Sequence, residues 1–255
     1  MRILVTIPTL GQRPESLIMT IASLKVFLPE ATIQIRTPNA DLLGALLSGE
    51  HAEVSIIEDN DDQRGSILNS WRESDFDWYG WINDDDFALA GVAGAAKLVN
   101  EYEDSNLAIV VYGDLVVMTD TGIKKIPTPR RINKWLLSSG ADYVPGLLTF
   151  INRASVRLLL SEDTNAPKVR NSFDYYWWLK LAKDGASFVH SCSTHAIWRD
   201  HVGARTRIEV PLSNSETKLV KNYFLPSILK FPLVYTANAH LAKITAKMLS
   251  RRLVR

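Results

Sequence analysis

Several features that mark particular protein classes are scarce in this 255-residue sequence. The single cysteine, Cys192, excludes an intramolecular disulfide and a cysteine-based metal site, and it fits a reducing compartment. A formal net charge of +1, from 29 basic and 28 acidic residues, gives no global field of the kind that nucleic-acid-binding proteins carry. We therefore expect a cytoplasmic protein that does not bind nucleic acid and whose charge-dependent chemistry is local.

Long apolar runs are also missing. A membrane-spanning helix needs roughly 18 or more consecutive apolar residues, and the longest candidate, 224–235, is interrupted by Lys230 and two prolines. We therefore expect a soluble or peripheral protein. With 46% hydrophobic residues, the chain is long and apolar enough for one large domain with a substantial core.

Short apolar segments alternate with helical ones along the first hundred residues. ILVTI (3–7) and VSII (54–57) predict strands that are buried on both faces, as in a parallel sheet. This βαβα order predicts an α/β fold with a mostly parallel central sheet flanked by helices. We expect this domain to span 1–210 and a helical extension to span 211–255. Residues 124–131 read as a basic, proline-containing loop, and residues 187–190 read as a strand.

Polar groups follow three of the predicted strands, at 8–9, 58–59 and 83–86. In open α/β sheets, ligands bind beyond the carboxyl ends of the strands, because loop amides and helix N-termini converge there. The sequence therefore predicts one crevice lined by these three strand ends.

The segment DWYGWINDDDFALAG, residues 77–91, carries three consecutive carboxylates, Asp84, Asp85 and Asp86, after a predicted buried strand. Carboxylates about 4 Å apart repel by about 1 kcal/mol in water and by several times more inside a protein, unless a cation is present. Oxygen ligands without cysteine suit Mg²⁺ or Mn²⁺ bound to a phosphorylated ligand. The alternative is a solvated acidic turn whose aspartates cap a helix beginning near Ala88.

The order of these segments resembles family 2 of the GT-A glycosyltransferases over roughly residues 2–206. The matching pieces are Pro-Thr at 8–9, Asn-Asp-Asp-Asp at 83–86 in place of the family's Asp-x-Asp motif, Ala-Gly at 90–91 and Tyr-Gly-Asp at 112–114. The resemblance implies a GT-A-like, Rossmann-like fold. It also implies inverting transfer of a sugar, of hexosyltransferase type, from a UDP- or dTDP-type donor to a hydroxyl of a glycan or lipid-linked acceptor, as in polysaccharide biosynthesis.

Carried over residue by residue, the resemblance implies a metal, Mn²⁺ or Mg²⁺, held on the donor diphosphate by Asp85, with Asp86 in support and His201 completing the shell. Asn83 and Asp84 would lie near the ribose, and the nucleotide pocket would be formed by Pro8, Thr9 and the strand-end carboxylates Glu58 or Asp59. Residues 35–39, Ile-Arg-Thr-Pro-Asn, depart from the Val-Asp-Asp-Gly-Ser of many members, so the resemblance assigns no base-contacting residue there.

The segment NSFDYYWWLKLAKDG, residues 171–185, resembles the family helix whose aspartate is the general base of inverting transfer, and Asp174 holds that position. On a helix, Asp174 shares a face with Trp178 and Leu181, which predicts a carboxylate directed towards the interior. Apolar surroundings raise a carboxyl pKa and favour proton acceptance near neutral pH. The alternative is that Asp174 is only a helix cap, a role for which Ser172 competes.

The segment AIWRDHVGART, residues 196–206, resembles the closing segment of the family, which implies that Arg199 or Arg205 offsets phosphate charge. The alternative is a surface loop with ordinary solvation. The tail LAKITAKMLSRRLVR, residues 241–255, predicts a basic amphipathic helix that contacts a membrane surface, a second subunit of a homodimer or its own domain.

Two other functions remain open from the sequence. A sugar-phosphate nucleotidyltransferase shares the α/β design but would carry a glycine-rich, basic loop after the first strand, where this chain has TLGQRPES (9–16). A non-catalytic carbohydrate-binding or scaffold protein could keep the same fold without turnover.

Overall fold

The computed structural model describes residues 1–49, 51–103, 105–132, 137–138, 144–161 and 165–225. The strands are β1 (Ile3–Pro8), β2 (Ala31–Thr37), β3 (Ser55–Glu58), β4 (Trp78–Trp81), β5 (Phe87–Ala88), β6 (Ile109–Thr119), β7 (Gly122–Ile126), β8 (Phe150–Asn152) and β9 (Ser187–Asp200). The helices are α1 (Pro14–Phe27), α2 (Ala40–Leu47), α3 (Gln63–Glu73), α4 (Val92–Asn100), α5 (Arg153–Leu160), α6 (Phe173–Lys183), α7 (Arg205–Ile208) and α8 (Val210–Phe224).

These strands form one sheet in the order β3-β2-β1-β4-β8-β6-β9-β5, and β7 pairs with β6. The ladders from β3 to β4 are parallel, as predicted from their apolar sequences. Beyond β4 the sheet is mixed, because β8 runs antiparallel to both of its neighbours, β4 and β6. The predicted α/β class is confirmed.

Three element assignments from the sequence need correction. The residues 124–126, expected in a loop, belong to β7, which pairs antiparallel with β6 after a tight turn at Asp120–Thr121. The helix expected from Ala88 begins at Val92, because Phe87–Ala88 pair with β9 instead. The strand expected over 187–190 continues to Asp200, since β9 pairs with β6 through residue 119.

Local chemistry explains where several helices begin. Pro14 occupies the first turn of α1, where its missing N–H is not needed and its φ suits a helix. The Asp62 carboxylate accepts the Gly65 N–H at 2.8 Å and caps α3. The Asn152 side chain accepts the Ser155 N–H at 3.0 Å and caps α5. Each cap satisfies a backbone donor that the helix itself leaves without a partner.

Helix α6 carries the most aromatic part of the core. Its residues Tyr175, Tyr176, Trp177, Trp178 and Leu179 are all buried. The Trp177 ring lies 5.2 Å from that of Trp71 on α3, at an angle of 46°. Because rings of this size bury a large apolar area, they fix α6, and with it the position of Asp174 in its first turn.

Helix α8, which begins at Val210, packs on α6 through rings. Tyr176 lies 5.6 Å from Phe224 between ring centroids. The basic tail at 241–255, and with it the predicted membrane or dimer contact, lies outside the described residues. In the part of the chain that the structure describes, no helix is long and apolar enough to cross a bilayer.

Candidate active site

A cavity of about 750 Å³ opens at the carboxyl ends of β1, β2 and β4. Seven of the predicted site residues line it: Pro8, Thr9, Asp59, Asn83, Asp84, Asp85 and Asp174. The crevice predicted from the strand ends is therefore present. Three predicted residues are placed differently, since Glu58 is exposed at the end of β3, Asp86 is buried and His201 reaches the site through Asp85.

Asp85 is the centre of a charged cluster at this cavity. Its carboxylate is 9% exposed, and Oδ2 contacts the Nη1 of Arg13 and, at 2.9 Å, the Nε2 of His201. Arg13 comes directly before α1 and also donates to the carbonyl of Gly203 at 3.0 Å. The start of α1, the loop after β4 and the end of β9 therefore meet at one carboxylate oxygen.

The donor set at Asp85 fits a divalent metal with few protein ligands. Among the described residues there is no group of three or more His, Cys, Asp or Glu side chains that could hold a metal. Asp85 and His201 nevertheless offer one carboxylate oxygen and one imidazole nitrogen 2.9 Å apart. The carboxylate suits Mn²⁺ or Mg²⁺, and a metal on a diphosphate takes its remaining ligands from phosphate and water. Arg13 shares the Asp85 oxygen, so a metal there requires Arg13 to shift.

Asp86 has a different role from the metal ligand that the sequence predicts. Its side chain is fully buried, and its oxygens accept the Arg199 N–H at 2.8 Å and the Asn83 amide at 2.6 Å. Burial, reinforced by the charge of Asp85, raises the Asp86 pKa to about 7. These contacts join the loop after β4 to β9, and they direct the two oxygens of Asp86 towards Arg199 and Asn83.

Asp84 is held by the end of β1. Thr9 Oγ1 donates to Asp84 Oδ2 and accepts the Gly11 N–H at 2.9 Å. Burial raises the pKa of Asp84, and the hydrogen bond from Thr9 opposes that shift. Nearby, Asn83 Oδ1 accepts a hydrogen bond from Gln63 at 2.6 Å, which links the loop after β4 to α3.

Arg36 is a site residue that sequence reasoning missed. It lies near the end of β2, is 3% exposed and lines the cavity. Its guanidinium contacts Asp59 Oδ2 at 3.4 Å and Glu73 at 2.6 Å. It falls in the segment 35–39, where the sequence departs from the family pattern. An arginine inside the apolar strand IQIRT was the available signal, because a buried charge requires a partner.

Asp174 lies half-buried in the first turn of α6 and lines the same cavity. Oδ1 accepts the N–H of Tyr175 at 2.8 Å, a bond to the adjacent residue within the first helical turn, while the N-cap position is held by Ser172 and not by Asp174. A Cβ placed on Gly146 would lie 3.0 Å from Oδ2 and 2.5 Å from Trp81 Cζ2. Gly146 therefore packs directly against Trp81 and Asp174 at this edge of the cavity, where a larger residue would not fit.

The segment around Arg199 is a strand and not a solvated loop. Arg199 donates through Nε to the Asp85 carbonyl and through Nη2 to Ser16 at 2.9 Å, and its guanidinium lies 4.9 Å from the Phe87 ring. The Arg199 side chain therefore joins β9 to α1 and to the loop after β4. The side chain of Arg205 lies outside what the structure describes.

No family model matches the sequence, and the search of curated proteins found no match. Among solved structures, the chain is similar to S. aureus TarS 1–349, with a TM-score of 0.61 and 11% identity over 93% of this chain and 68% of that one. It is also similar to a longer S. aureus TarS structure, with a TM-score of 0.56 and 10% identity over 91% of this chain. The chain spans 44% of that longer structure. At such identities the likeness shows the fold, which is GT-A-like.

Proposed function

We propose that this chain is a glycosyltransferase that transfers a sugar from a nucleoside diphosphate donor to a hydroxyl of a glycan or lipid-linked acceptor, with inversion. The observation that carries the proposal is that the Asp85 cluster and Asp174 line one cavity at the carboxyl ends of the parallel strands. The cluster can hold a diphosphate and the carboxylate can accept a proton. The GT-A-like fold supports this assignment.

The nucleotide end of the donor would occupy the part of the cavity lined by Thr9, Asp59, Asn83 and Asp84. Carboxylate and amide oxygens there accept hydrogen bonds from ribose hydroxyls and from the N–H of a pyrimidine base. Arg36 pairs with Asp59, so it would hold that carboxylate in a fixed orientation for the base. We therefore infer a donor of the UDP or dTDP type.

Asp85 and His201 would hold a divalent metal, Mn²⁺ or Mg²⁺. When bound, the metal supplies positive charge to the diphosphate as it leaves. Arg13 shares Asp85 in the present arrangement and would be displaced towards the phosphates, where its guanidinium offsets their charge. Arg13 thus replaces Arg199 as our candidate for that role, and the expectation for Arg205 stays a prediction because its side chain lies outside the described residues.

Asp174 would act on the acceptor. The acceptor hydroxyl oxygen forms a bond to the anomeric carbon as the bond from that carbon to the diphosphate oxygen breaks. The hydroxyl proton passes to Asp174, and the nucleoside diphosphate leaves with the electron pair. Proton transfer to a positioned carboxylate contributes about 10²–10⁴ in rate. We place the acceptor hydroxyl in the cavity that Asp174 lines.

The test is a thermal-shift screen of UDP-glucose, UDP-N-acetylglucosamine and dTDP-glucose, with and without Mn²⁺. We expect at least one donor to raise Tm in a Mn²⁺-dependent manner, because a ligand that binds the folded state stabilises it. The shift should disappear in Asp85→Ala and persist in Asp41→Ala, an exposed position on α2. No stabilisation by any nucleotide sugar would contradict the proposal, and a shift that survives Asp85→Ala would contradict the metal assignment.

A further inference from the structure

Glu216, on α8, is a buried carboxylate outside the cavity. It is 5% exposed, and it accepts three consecutive backbone N–H groups: those of Arg170 at 2.9 Å, Asn171 at 2.6 Å and Ser172 at 3.0 Å. A buried charge requires hydrogen-bond partners, and donors on adjacent residues can reach one carboxylate only if that backbone keeps a single conformation.

Other side chains of α8 and the residue before it hold the same segment. The Ser172 hydroxyl donates to the Ser213 carbonyl at 3.2 Å and lies 3.0 Å from the Thr217 hydroxyl. The Asn171 side-chain amide donates to Glu209 at 2.8 Å. Residues 170–172 are therefore fixed by contacts spread over residues 209–217.

The segment 170–172 leads directly into the first turn of α6. Its three residues line the cavity together with Phe173 and Asp174. Ser172 precedes α6 but makes no side-chain cap of its own, so the Glu216 carboxylate supplies the negative charge that a helix N-terminus favours. Asp174 lies two residues beyond the last amide that Glu216 binds.

We infer that Glu216 is a positioning residue for Asp174, and that α8 belongs to the active-site domain rather than to a separate extension. The inference rests on the proposed function for its catalytic consequence. The hydrogen bonds of the Glu216 carboxylate go to the 170–172 backbone, so its removal should change the rate of proton transfer more than the affinity for donor.

The experiment compares Glu216→Gln with Val220→Ala. Glutamine keeps the size of the side chain but places an NH₂ group against backbone donors. Val220 is fully buried on the same helix, so its truncation loosens α8 without touching the carboxylate. Two quantities are measured in each variant: amide hydrogen exchange of 165–178, and UDP release from the UDP-sugar that stabilises the unaltered chain, with water as acceptor.

We expect Glu216→Gln to speed exchange at 170–175 and to lower kcat at least ten-fold, with KM within about three-fold. Val220→Ala should lower Tm while keeping kcat within about two-fold. Unchanged kcat in Glu216→Gln, or an equal loss in Val220→Ala, would overturn the positioning role. If Glu216→Gln does not fold, Thr217→Val, which removes the contact with Ser172, should give the same pattern with smaller changes.

The two proposals fail differently. Absence of nucleoside diphosphate release, UDP or dTDP, from the unaltered chain with every donor would overturn the proposed function. Amide hydrogen exchange at 170–175 would then still show whether Glu216 orders this segment. An unchanged exchange rate in Glu216→Gln would refute that ordering.

Discussion

Gly146 is the position at which a single methyl group tests the geometry beside Asp174. In the structure, a Cβ at residue 146 would lie 2.5 Å from Trp81 Cζ2 and 3.0 Å from Asp174 Oδ2. Cβ atoms do not approach a carbon at 2.5 Å, so Gly146→Ala must displace the indole or the backbone. Trp81 is buried and packs 5.4 Å from Phe173 between ring centroids, which leaves it little room to move.

The cost follows from this crowding. Overpacking a filled interior by one methyl costs about 1–3 kcal/mol, and Gly146 does not have a positive φ, so no backbone strain adds to it. If a similar amount is lost in the alignment of Asp174, turnover falls about ten- to a hundred-fold, since about 1.4 kcal/mol corresponds to a factor of ten. The donor pocket at Thr9 and Asp84 is untouched by the added carbon.

The assay pairs urea unfolding with UDP release from the donor that stabilises the chain. Gly146→Ala should unfold at lower urea and turn over more slowly, with donor affinity retained. Gly44→Ala is the control, because nothing lies within 4 Å of a Cβ there and alanine favours the helix. Wild-type stability in Gly146→Ala would refute the close packing of Gly146 against Trp81, and wild-type turnover would refute the dependence of turnover on the alignment of Asp174.

Three further predictions concern buried charge. Burial lowers the pKa of His195 in the folded protein to about 4, whereas the same histidine in the unfolded chain is protonated below about pH 6.5. Because only the unfolded chain binds this proton between those two pH values, the free energy of unfolding should fall by roughly 3 kcal/mol as the pH is lowered from about 6.5 to 4. His195→Gln, which can still donate to the Leu148 carbonyl and accept from Ser191, should flatten that part of a urea-unfolding pH profile, and an unchanged slope would count against the neutral histidine. Asp85→Asn should weaken Mn²⁺ binding at least ten-fold in calorimetry with UDP present; equal affinity would remove Asp85 from the metal site. Arg36→Met should cost about 3–5 kcal/mol in urea unfolding, because Asp59 loses its buried partner, and Asp59→Asn in the same chain should recover part of it.

The parallel half of the sheet could be predicted because each of its strands is a short local signal. ILVTI is apolar and buried on both faces, and the parallel pairing follows from the helices between the strands. The expectation that VSII is likewise buried was wrong, because β3 is an edge strand whose residues 55–58 are exposed or half-buried. The mixed half could not be predicted in this way. The pairing of β8 with β4 and β6, and the full length of β9, depend on contacts between distant segments that leave no local period in the sequence.

The site shows the same division. Asp85, His201 and Asp174 could be proposed from the sequence because each stands in a recognisable segment, and the structure brings the first two into contact. The direction of a side chain is not visible in such a pattern, so Asp86 was grouped with Asp85 although its oxygens bind Arg199 and Asn83. Arg13 was missed because its partner is defined only by the fold.

The central claim is that Asp174 accepts a proton within a cavity that binds a nucleotide sugar, and Asp174→Asn tests it most directly. Asparagine is almost the same size and can still accept the Tyr175 N–H, so helix α6 and donor binding should be preserved. The measurement is UDP release at saturating donor, alongside the donor-induced shift in Tm. We predict an unchanged Tm shift with turnover lowered about 10²–10⁴-fold; turnover equal to that of the unaltered chain would contradict the account.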